Sequence, residues 1–432
     1  MHARGSWKTK KGKGSEIADK QNIILILADD LGYECLGSYG GKSYQTPRLD
    51  EMAERGVRFT HTYSLPLCTP TRMALMTGQY NFRNWRAFGV MDPDEKTFGH
   101  YMQDAGYKTC ISGKWQMWSY NPPDFEPEWR GKGKLPEDAG FDEHFLWHCG
   151  HTEDKGSRYA DPVIMNNGEL FEDAEGTYGP DLFTGYLLDF ASRHKDESFF
   201  IYYPMALTHG PFVPTPDSSG WDEDRHKNDA RNFKDMVEYA DKLVGHILDG
   251  LDELGIADNT LVMFVGDNGS PREVTSLLGD REYQGGKGHS ADAGTRVPFI
   301  AKWGDRAAGM VCEDLVDCTD FLPTMLEVAR TALPGDVVCD GRSFLPPLIG
   351  DTGSPRDWIY QWHNPLPGWG KVGYKLEEWA QDKKYKLYTD GRFYDVETDD
   401  LETEVLEPDS GEADEAYRTL RSVLSHYKAQ QG

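Results

Sequence analysis

The chain has 432 residues, 38% of them hydrophobic, which suits a large globular domain with a smaller one and excludes a mainly disordered chain. Lys and Arg number 46 against 72 Asp and Glu, and the net charge of −26 argues against nucleic-acid and membrane partners. The seven scattered cysteines contain no CxxC pair and are odd in number, so the sequence does not indicate a disulfide framework.

The first 20 residues are basic and polar and predict a flexible tail. They lack the apolar run of a signal peptide, and no segment has the length and apolarity of a transmembrane helix. The sequence as given therefore predicts a cytoplasmic protein, or a periplasmic or secreted one if an export signal has been removed.

Predicted strands and helices alternate along the first 330 residues. Residues 22–30 form an apolar run that ends in two acids, which predicts a strand buried in a parallel sheet. Helical spacing follows, with one face shared by Leu49, Met52, Ala53 and Val57. Further helices are predicted over 71–78, 97–105, 181–194, 228–254 and 318–329, and strands over 107–115, 198–205, 260–269 and 296–303. This alternation predicts an α/β fold with a largely parallel sheet.

The character of the sequence changes after a linker at 341–351. Short aromatic-rich segments at 357–364, 383–390 and 392–398 predict strands, and a helical segment follows at 412–430. The predicted fold class is α/β, with a large central, mostly parallel mixed sheet flanked by helices and a small C-terminal subdomain with a short antiparallel sheet and a terminal helix. The predicted boundaries are 1–20 for the tail, 21–350 for the α/β domain and 351–432 for the subdomain.

Two predicted strands end in oxygen-bearing side chains. Asp29 and Asp30 follow the first apolar run, and Asp267 and Asn268 follow the run that begins at residue 260. Because parallel strands end at the same edge of a sheet, four hard oxygen donors can meet there, and such donors suit Ca²⁺ or Mg²⁺. Each pair alone is equally well explained by a helix cap or a turn, so their joint occurrence carries the interpretation.

The stretch LPLCTPTRMALMTGQY places Cys68 just before a predicted helix. A helix N-terminus favours negative charge, and Arg72, one turn further, could hold an oxyanion with two hydrogen bonds. A lone cysteine before a helix is more often a packing residue. These arguments alone therefore indicate only a weak anion site.

The stretch CTPTRMALMTG resembles the signature of type I, formylglycine-dependent sulfatases of the alkaline phosphatase superfamily, Cys-x-Pro-x-Arg followed by Thr-Gly. The stretch GYKTCISGKW is similar to the second signature of that family, and ADD, THGP, GDNG, GGKG and GTRVP occur in the family's order. The resemblance spans about residues 22–407. It implies a sulfatase, a sulfuric ester hydrolase that acts on a sulfated small molecule or saccharide.

In that family the motif cysteine is converted to Cα-formylglycine, and the resemblance implies this change at Cys68, with a formylglycine-generating maturation enzyme as partner. A hydrated aldehyde has two hydroxyls on one carbon. One attacks sulfur and displaces the alcohol, and the other then expels sulfate. A serine could form the sulfate ester but has no second hydroxyl to release it.

The resemblance also implies residue roles. The metal ligands would be Asp29, Asp30, Asp267, Asn268 and the hydrate of residue 68, with Ca²⁺ or Mg²⁺ as the cofactor. The catalytic residues would be residue 68, Arg72, which stabilises the hydrate, Lys114 and Lys287, which hold sulfate oxygens, and His209, the general acid for the leaving alcohol.

One position departs from the family pattern. Gln116 stands where many members have a histidine that is assigned to deprotonate the second hydroxyl. Glutamine forms hydrogen bonds but cannot act as a general base. We hypothesise that Gln116 positions the hydrate and that Lys114, a metal-bound aspartate or a nearby histidine such as His289 takes the proton.

Two segments are candidate contacts for the rest of the substrate. Trp362, His363 and Trp369 could stack on sugar rings, although ordinary subdomain core explains them as well. Three residues in the segment 147–159, His148, His151 and Arg158, could contact a carboxylate or a further sulfate on a polysaccharide.

Two other functions fit parts of the same pattern. A phosphonate monoester or phosphodiester hydrolase of the same superfamily would share the metal site and the formylglycine, but Thr71 belongs to the sulfatase form of the motif. A catalytically inactive binding protein is indicated only by Gln116. Bound Ca²⁺ and turnover of a sulfate ester would separate that possibility from the enzymes.

Overall fold

The computed structural model describes residues 20–408 and 410–431, so the tail predicted over residues 1–20 lies outside the described residues except for Lys20. Within the described part, no helix has both the length and the apolar character needed to cross a membrane.

Sixteen strands lie in the described part of the chain: β1 (Asn22–Ala28), β2 (Val57–Tyr63), β3 (Lys108–Lys114), β4 (Glu143–Trp147), β5 (Met165–Asn166), β6 (Glu169–Leu170), β7 (Phe199–Pro204), β8 (Thr260–Gly266), β9 (Thr275–Leu278), β10 (Arg281–Gln284), β11 (Phe299–Trp303), β12 (Met310–Asp317), β13 (Ile359–His363), β14 (Glu377–Gln381), β15 (Tyr385–Tyr388) and β16 (Phe393–Asp395). The α-helices described are α1 (Pro47–Glu54), α2 (Cys68–Thr77), α3 (Phe98–Asp104), α4 (Gly179–Arg193), α5 (Trp221–Asp224), α6 (Asn232–Glu253), α7 (Asp292–Thr295), α8 (Phe321–Val328), α9 (Leu345–Leu348) and α10 (Gly411–Lys428).

Ten strands form the central sheet in the order β12-β2-β11-β8-β1-β7-β3-β4-β5-β6. The run from β8 to β4 is parallel, and β2 and β12 are also parallel to each other. Strand β11 is antiparallel to both of its neighbours, and β5 and β6 continue the far edge in antiparallel fashion. The predicted mostly parallel mixed sheet is therefore confirmed.

The central strand β1 shows why this sheet is buried on both faces. Its side chains alternate between two hydrophobic cores, with Ile23, Leu25 and Leu27 in one and the intervening residues in the other. Helices cover both faces, and a parallel strand in such a position consists almost entirely of apolar residues. The apolar run after residue 21 was the correct signal for this position.

The small sheet, in the order β13-β14-β15-β16, is antiparallel, and α10 packs on it. This confirms the predicted C-terminal architecture. The boundary predicted between residues 350 and 351 stays a prediction. The two parts are joined by the ion pair of Arg356 with Asp320 and by a 3.0 Å hydrogen bond from Gln361 Nε2 to Asp317 Oδ2.

One local prediction was wrong. Val57 was placed on the apolar face of a helix, but α1 ends at Glu54 and Val57 begins β2. Gly56 makes the break, because a Cβ atom there would lie 2.2 Å from the carbonyl oxygen of Ala301. The backbone approaches β11 too closely at this point for any residue with a side chain.

Candidate active site

The ends of β1 and β8 bring four oxygen-bearing side chains together. The two strands are parallel neighbours with Ala28 opposite Gly266, so Asp29, Asp30, Asp267 and Asn268 follow at the same edge. All four are at most 1% exposed. The backbone N–H of Asp30 donates to Asp267 Oδ1 at 3.0 Å, and Asn268 Nδ2 donates to Asp30 Oδ1 at 2.8 Å. We call these four residues the acidic cluster.

Three basic side chains face the acidic cluster. Lys114 Nζ, at the end of β3, donates to Asp29 Oδ2 at 2.7 Å, and Lys287 Nζ donates to Asp30 Oδ2 at 2.6 Å. Arg72, one turn into α2, donates from Nη2 to Asp267 Oδ2 at 3.0 Å and is 1% exposed. Each carboxylate of the cluster therefore has its own cationic partner.

The crowding of three carboxylates shifts their pKa values in different directions. Burial acts to raise the pKa of Asp29, but the charges of Lys114 and Arg72 outweigh it and hold that pKa well below its usual range. Burial and the charge of Asp29 raise the pKa of Asp267 to about 7, with Arg72 opposing them. The raised pKa of Asp267 shows that Arg72 does not fully offset burial and the charge of Asp29 beside it, which favours a cation at this point.

The donor set fits a hard divalent cation. Asp29 Oδ1 and Asn268 Oδ1 are buried oxygens without a hydrogen-bond partner in the described structure. Cys68 Sγ and one oxygen each of Asp29 and Asp267 lie within 4.8 Å of one another. Unpartnered buried carboxylate and amide oxygens are the ligands that Ca²⁺ and Mg²⁺ prefer. The residues that would hold the ion are the acidic cluster and residue 68.

Cys68 is the first residue of α2, and local contacts fix the start of this helix there. Leu67 is extended, and Thr71 Oγ1 accepts a 3.0 Å hydrogen bond from the backbone N–H of Leu65. Gly78, with φ 66°, ends the helix in the left-handed conformation that glycine favours. The thiol of Cys68 is 3% exposed and lies 4.0 Å from Gln116 Oε1. Gln116, which directly follows the second motif, therefore contacts Cys68.

His209 stands at the mouth of the cluster with one nitrogen already used. Its Nδ1 lies 2.7 Å from the carbonyl oxygen of Gly210 and must carry the hydrogen of that bond. Its Nε2 lies 3.8 Å from Asp30 Oδ2. Burial lowers the pKa of His209 to about 3, although Asp30 opposes the shift. The neutral ring therefore presents Nε2 toward the cluster.

A cleft of about 530 Å³ opens beside this cluster. His209, Asp30 and Lys287 lie on its inner side. Its outer wall includes Asn228, Arg272 and two residues of the C-terminal subdomain, Lys371 and Tyr374. Because the cleft connects the cluster with the surface, it can admit a substrate larger than a sulfate ion.

A family model described as Sulfatase matches residues 21–331, which is most of the chain. The chain belongs to the sulfatase family. The enzyme class is accordingly that of the sulfuric ester hydrolases. This confirms the family and the enzyme class predicted from the two motifs.

The relatives of this sulfatase cover most of its length. It is 32% identical to arylsulfatase A of Bos taurus over 80% of this chain and 71% of the relative, and 31% identical to N-acetylgalactosamine-6-sulfatase of Canis lupus familiaris over 86% and 74%. Among solved structures, Ps i-CgsB in complex with k-i-k-neocarrahexaose has a TM-score of 0.76 at 23% identity, covering 96% of this chain and 93% of that one. At that identity the structural match shows the shared fold.

Three predicted substrate residues of the sulfatase have no described contact with the acidic cluster. Trp362 packs against the hydrophobic core of the subdomain. His151 Nδ1 lies 2.9 Å from Ser119 Oγ, and its ring packs on Trp118. His289 is exposed, and the charges that act on it belong to Arg272 and Glu377. Trp362 and His151 thus pack against neighbouring side chains outside the cluster, and His289 lies on the surface.

Two other predicted residues lie closer to the site. Arg158 Nη1 is 4.0 Å from Asp29 Oδ2. His363 is 1% exposed, and its ring lies 6.4 Å from that of Tyr374 on the wall of the cleft. Burial lowers the pKa of His363 to about 3. His363 therefore lies behind the cleft wall, where it supports Tyr374.

The sequence analysis missed Lys155 and Lys371, two basic residues near the site. Lys371 lines the cleft, and Lys155 lies close enough to Arg158 and Lys114 for their charges to lower its pKa. Lys371 lies 4.4 Å over the ring of Phe88, which packs with Leu67 and Cys68. Neither lysine belongs to a recognisable spacing. Lys155 lies within the segment 147–159 that was considered for substrate contacts, and Lys371 lies two residues after Trp369, outside the residues considered.

The loop that carries Lys287 is held by the C-terminal subdomain through Ser290. The carbonyl oxygen of Ser290 accepts a hydrogen bond from the buried Lys386 Nζ. Ser290 Oγ donates to Glu377 Oε2 at 3.0 Å and lies 2.9 Å from the hydroxyl of Tyr388. The subdomain thus fixes the backbone three residues after a lysine of the site.

Proposed function

We propose that this sulfatase removes sulfate from a sulfated carbohydrate, with residue 68 as formylglycine and Ca²⁺ or Mg²⁺ bound by Asp29, Asp30, Asp267 and Asn268. One observation carries the proposal. Cys68 Sγ stands within 4.8 Å of carboxylate oxygens of Asp29 and Asp267, at the start of a buried helix. A cysteine kept only for packing does not explain the unpartnered oxygens beside it.

The divalent cation would supply positive charge that lowers the pKa of an attacking hydroxyl and offsets the charge of sulfate. The formylglycine hydrate would supply the nucleophilic hydroxyl and the second hydroxyl needed for sulfate release. The chain itself must supply the arrangement of these groups and the proton transfers.

Arg72 orients the reacting centre from α2. Its guanidinium bonds Asp267 through Nε at 3.3 Å and Nη2 at 3.0 Å, and Nη1 reaches the carbonyl oxygen of Lys114 at 3.4 Å. This fixes the charge of Arg72 beside residue 68. Lys114 and Lys287 extend from opposite sides of the acidic cluster, and their ammonium groups are placed to bind sulfate oxygens.

His209 is positioned for the leaving alcohol. Its Nδ1 is held by the carbonyl oxygen of Gly210, which orients Nε2 toward the cleft side of Asp30. A bound anionic sulfate ester raises the pKa of a neighbouring histidine, and this favours protonation at Nε2 before proton donation. Gln116 contacts residue 68 and positions it without accepting a proton.

The carbohydrate part of the proposal rests on the cleft and on the relatives. The relative from Canis lupus familiaris is named for a sulfated amino sugar, and one structural neighbour was solved with a neocarrahexaose. The cleft in this chain offers the aromatic ring of Tyr374 beside the cations Arg272 and Lys371. Aromatic faces and charged donors are the groups that bind sulfated sugars.

The mass of the peptide that contains residue 68 tests this proposal. We expect a loss of about 18 Da relative to the cysteine peptide, a change distinct from cysteine oxidation, when the chain is co-expressed with a formylglycine-generating maturation enzyme. We also expect one Ca²⁺ or Mg²⁺ per chain and turnover of an aryl sulfate. A thiol that persists under co-expression contradicts the proposal, and faster turnover of a phosphonate monoester favours the related hydrolase instead.

A further inference from the structure

Three basic groups gather around the indole of Trp147, and among the described residues only Arg158 faces a carboxylate, with Nη1 4.0 Å from Asp29 Oδ2. The guanidinium of Arg158 lies 4.0 Å over the indole ring, and Lys155 Nζ lies 5.7 Å over it. The ring of His148 is centred 4.9 Å from the same indole. Trp147 ends β4, next to the end of β3, where Lys114 faces Asp29. The group therefore borders the acidic cluster at Asp29.

Three polar atoms of this group, Arg158 Nη1 and the two ring nitrogens of His148, have no hydrogen-bond partner in the described structure. Arg158 is 6% exposed, and its Nη1 forms no hydrogen bond. His148 is 3% exposed, and neither of its ring nitrogens has a partner. A buried polar atom without a partner carries a large free-energy cost, so such atoms indicate a ligand or ordered water. The unpartnered atoms of Arg158 and His148 favour a ligand that accepts hydrogen bonds.

The charges around the site lead to the same conclusion. Six basic side chains surround the site. Five of them act on the carboxylates of Asp29, Asp30 and Asp267, namely Arg72, Lys114, Arg158, Lys287 and Lys371, and Lys155 lies beside Arg158 and Lys114. A bound divalent cation increases this positive excess, and one sulfate monoester removes a single charge from it. In a chain with a net charge of −26, such a local excess requires a further anion.

The pKa of Lys155 indicates that its ammonium group has no anionic side chain as a close partner among the described residues. Burial and the charges of Arg158 and Lys114 together lower this pKa to about 8. An ammonium group with a carboxylate partner shows the opposite shift, as Lys287 does beside Asp30. Lys155 is thus destabilised as a cation until an anion binds next to it.

We propose that Lys155, Arg158 and His148 form a second anion-binding pocket beside the acidic cluster, and that this pocket takes a second anionic group of the substrate. The inference rests on the proposed function and deepens it. The substrate class becomes a sulfated sugar that carries a further sulfate or a carboxylate near the ester that is cleaved. Arg158 binds such a group with its free Nη1, Lys155 with its ammonium, and His148 with a ring N–H.

Selenate, a sulfate analogue that scatters X-rays anomalously, tests the pocket in crystals of the matured enzyme with Ca²⁺ bound. We expect two anomalous peaks, one near residue 68 and one in contact with Lys155 and Arg158. A peak near residue 68 alone overturns the second pocket and leaves the proposed function standing. A peak at Lys155 alone supports the pocket and contradicts the proposed sulfate site, and the absence of both peaks contradicts both.

A solution measurement avoids dependence on crystals. Equilibrium dialysis with radioactive inorganic sulfate should give two ions per chain for the wild type and one for the double variant Lys155→Gln/Arg158→Gln. Lys195→Gln, which removes one positive charge at an exposed position after α4, is the matched control and should keep two. One ion for the wild type, or two for the double variant, overturns the proposal.

Discussion

The acidic cluster together with its basic partners, here called the inner cluster, differs in construction from the outer wall of the cleft. Around residue 68, Asp29, Asp267 and Arg72 are at most 1% exposed, and each charge faces an opposite charge within 4 Å. In the loop that supplies Lys371 and Tyr374 to the outer wall, Trp369 is 47% exposed and Val372 is 90% exposed. The groups proposed for chemistry are therefore held by a dense buried network, whereas Trp369, proposed for contact with the saccharide, lies on an exposed loop with few restraints.

The largest effect should come from the inner cluster, at the nucleophile. We expect Cys68→Ala to lower kcat/KM for an aryl sulfate by at least about 10³-fold, because alanine cannot become an aldehyde. Cys339→Ala is the control, since the Cys339 thiol contacts only a backbone oxygen, that of Gly341, among its described hydrogen bonds. Turnover by Cys68→Ala above one tenth of the wild-type value would refute the role of residue 68.

A smaller but still large effect is expected for Arg72→Lys, which keeps the positive charge but removes the planar guanidinium with its several N–H donors. A lysine cannot bond Asp267 and the carbonyl oxygen of Lys114 together, so we expect kcat to fall by about 10²-fold. Steady-state kinetics with an aryl sulfate measure the change. Arg83→Lys is the control for general loss of stability, because it removes a similar pair of guanidinium hydrogen bonds to Asp340. Equal losses in the two variants would remove the catalytic interpretation of Arg72.

An intermediate effect should follow the protonation of Lys155. Its surroundings contain the cations Arg158 and Lys114, the ring of His148 and residue 68, and its pKa is lowered to about 8. Above pH 8 the ammonium loses its charge, so kcat/KM for a disulfated sugar should fall about tenfold relative to the monosulfated form of the same sugar.

The pH dependence of this ratio is the quantity to measure. The ratio should be constant below about pH 7 and should decline as the pH rises through 8, because the free enzyme binds the second anion only while Lys155 is protonated. In Lys155→Gln the ratio should be low at every pH. A decline that persists in Lys155→Gln would assign the titration to a different group.

The smallest effect is expected on the outer wall. Trp369 packs 6.2 Å from Tyr120, which lies against the hydrophobic group of Leu67, Cys68 and Phe88. Trp369→Ala should raise KM for a sulfated saccharide by about three- to fivefold, the effect of losing one aromatic contact. Val372→Ala, in the same loop, should leave KM unchanged. Identical KM values for Trp369→Ala and the wild type would place the saccharide elsewhere.

The inner cluster was the easier part to predict from the sequence. Apolar runs before Asp29 and Asp267 identified two buried strands, and the rule that parallel strands end at one edge brought their polar ends together. The family motifs then added Lys114 and His209, whose placement needs the three-dimensional fold. The order of the strands, with β11 antiparallel between β8 and β2, leaves no signal in any single segment.

The outer wall was the harder part. Strand β14 has the sequence EEWAQ, which is too polar to resemble a strand, although four of its five side chains are buried by pairing and by α10. Lys155 and Lys371 come near the site only through the fold of the chain. Trp362 packs against the subdomain core instead of lining the cleft. A strand such as β2, by contrast, had a usable signal in the alternation of Val57 to Tyr63 after Gly56.

The hydrogen bonds that join Ser290 to the C-terminal subdomain, here called the tether, have a consequence for protein engineering. Glu377, Lys386 and Tyr388 hold the backbone next to Lys287, whereas Trp369, Lys371 and Tyr374 come from the loop just before them. A loop graft that replaces residues 364–376 can therefore change which saccharide is accepted while the tether remains intact. Deletion of the chain after residue 350 would remove the tether, so the α/β domain is not a minimal enzyme to which new specificity modules can be fused.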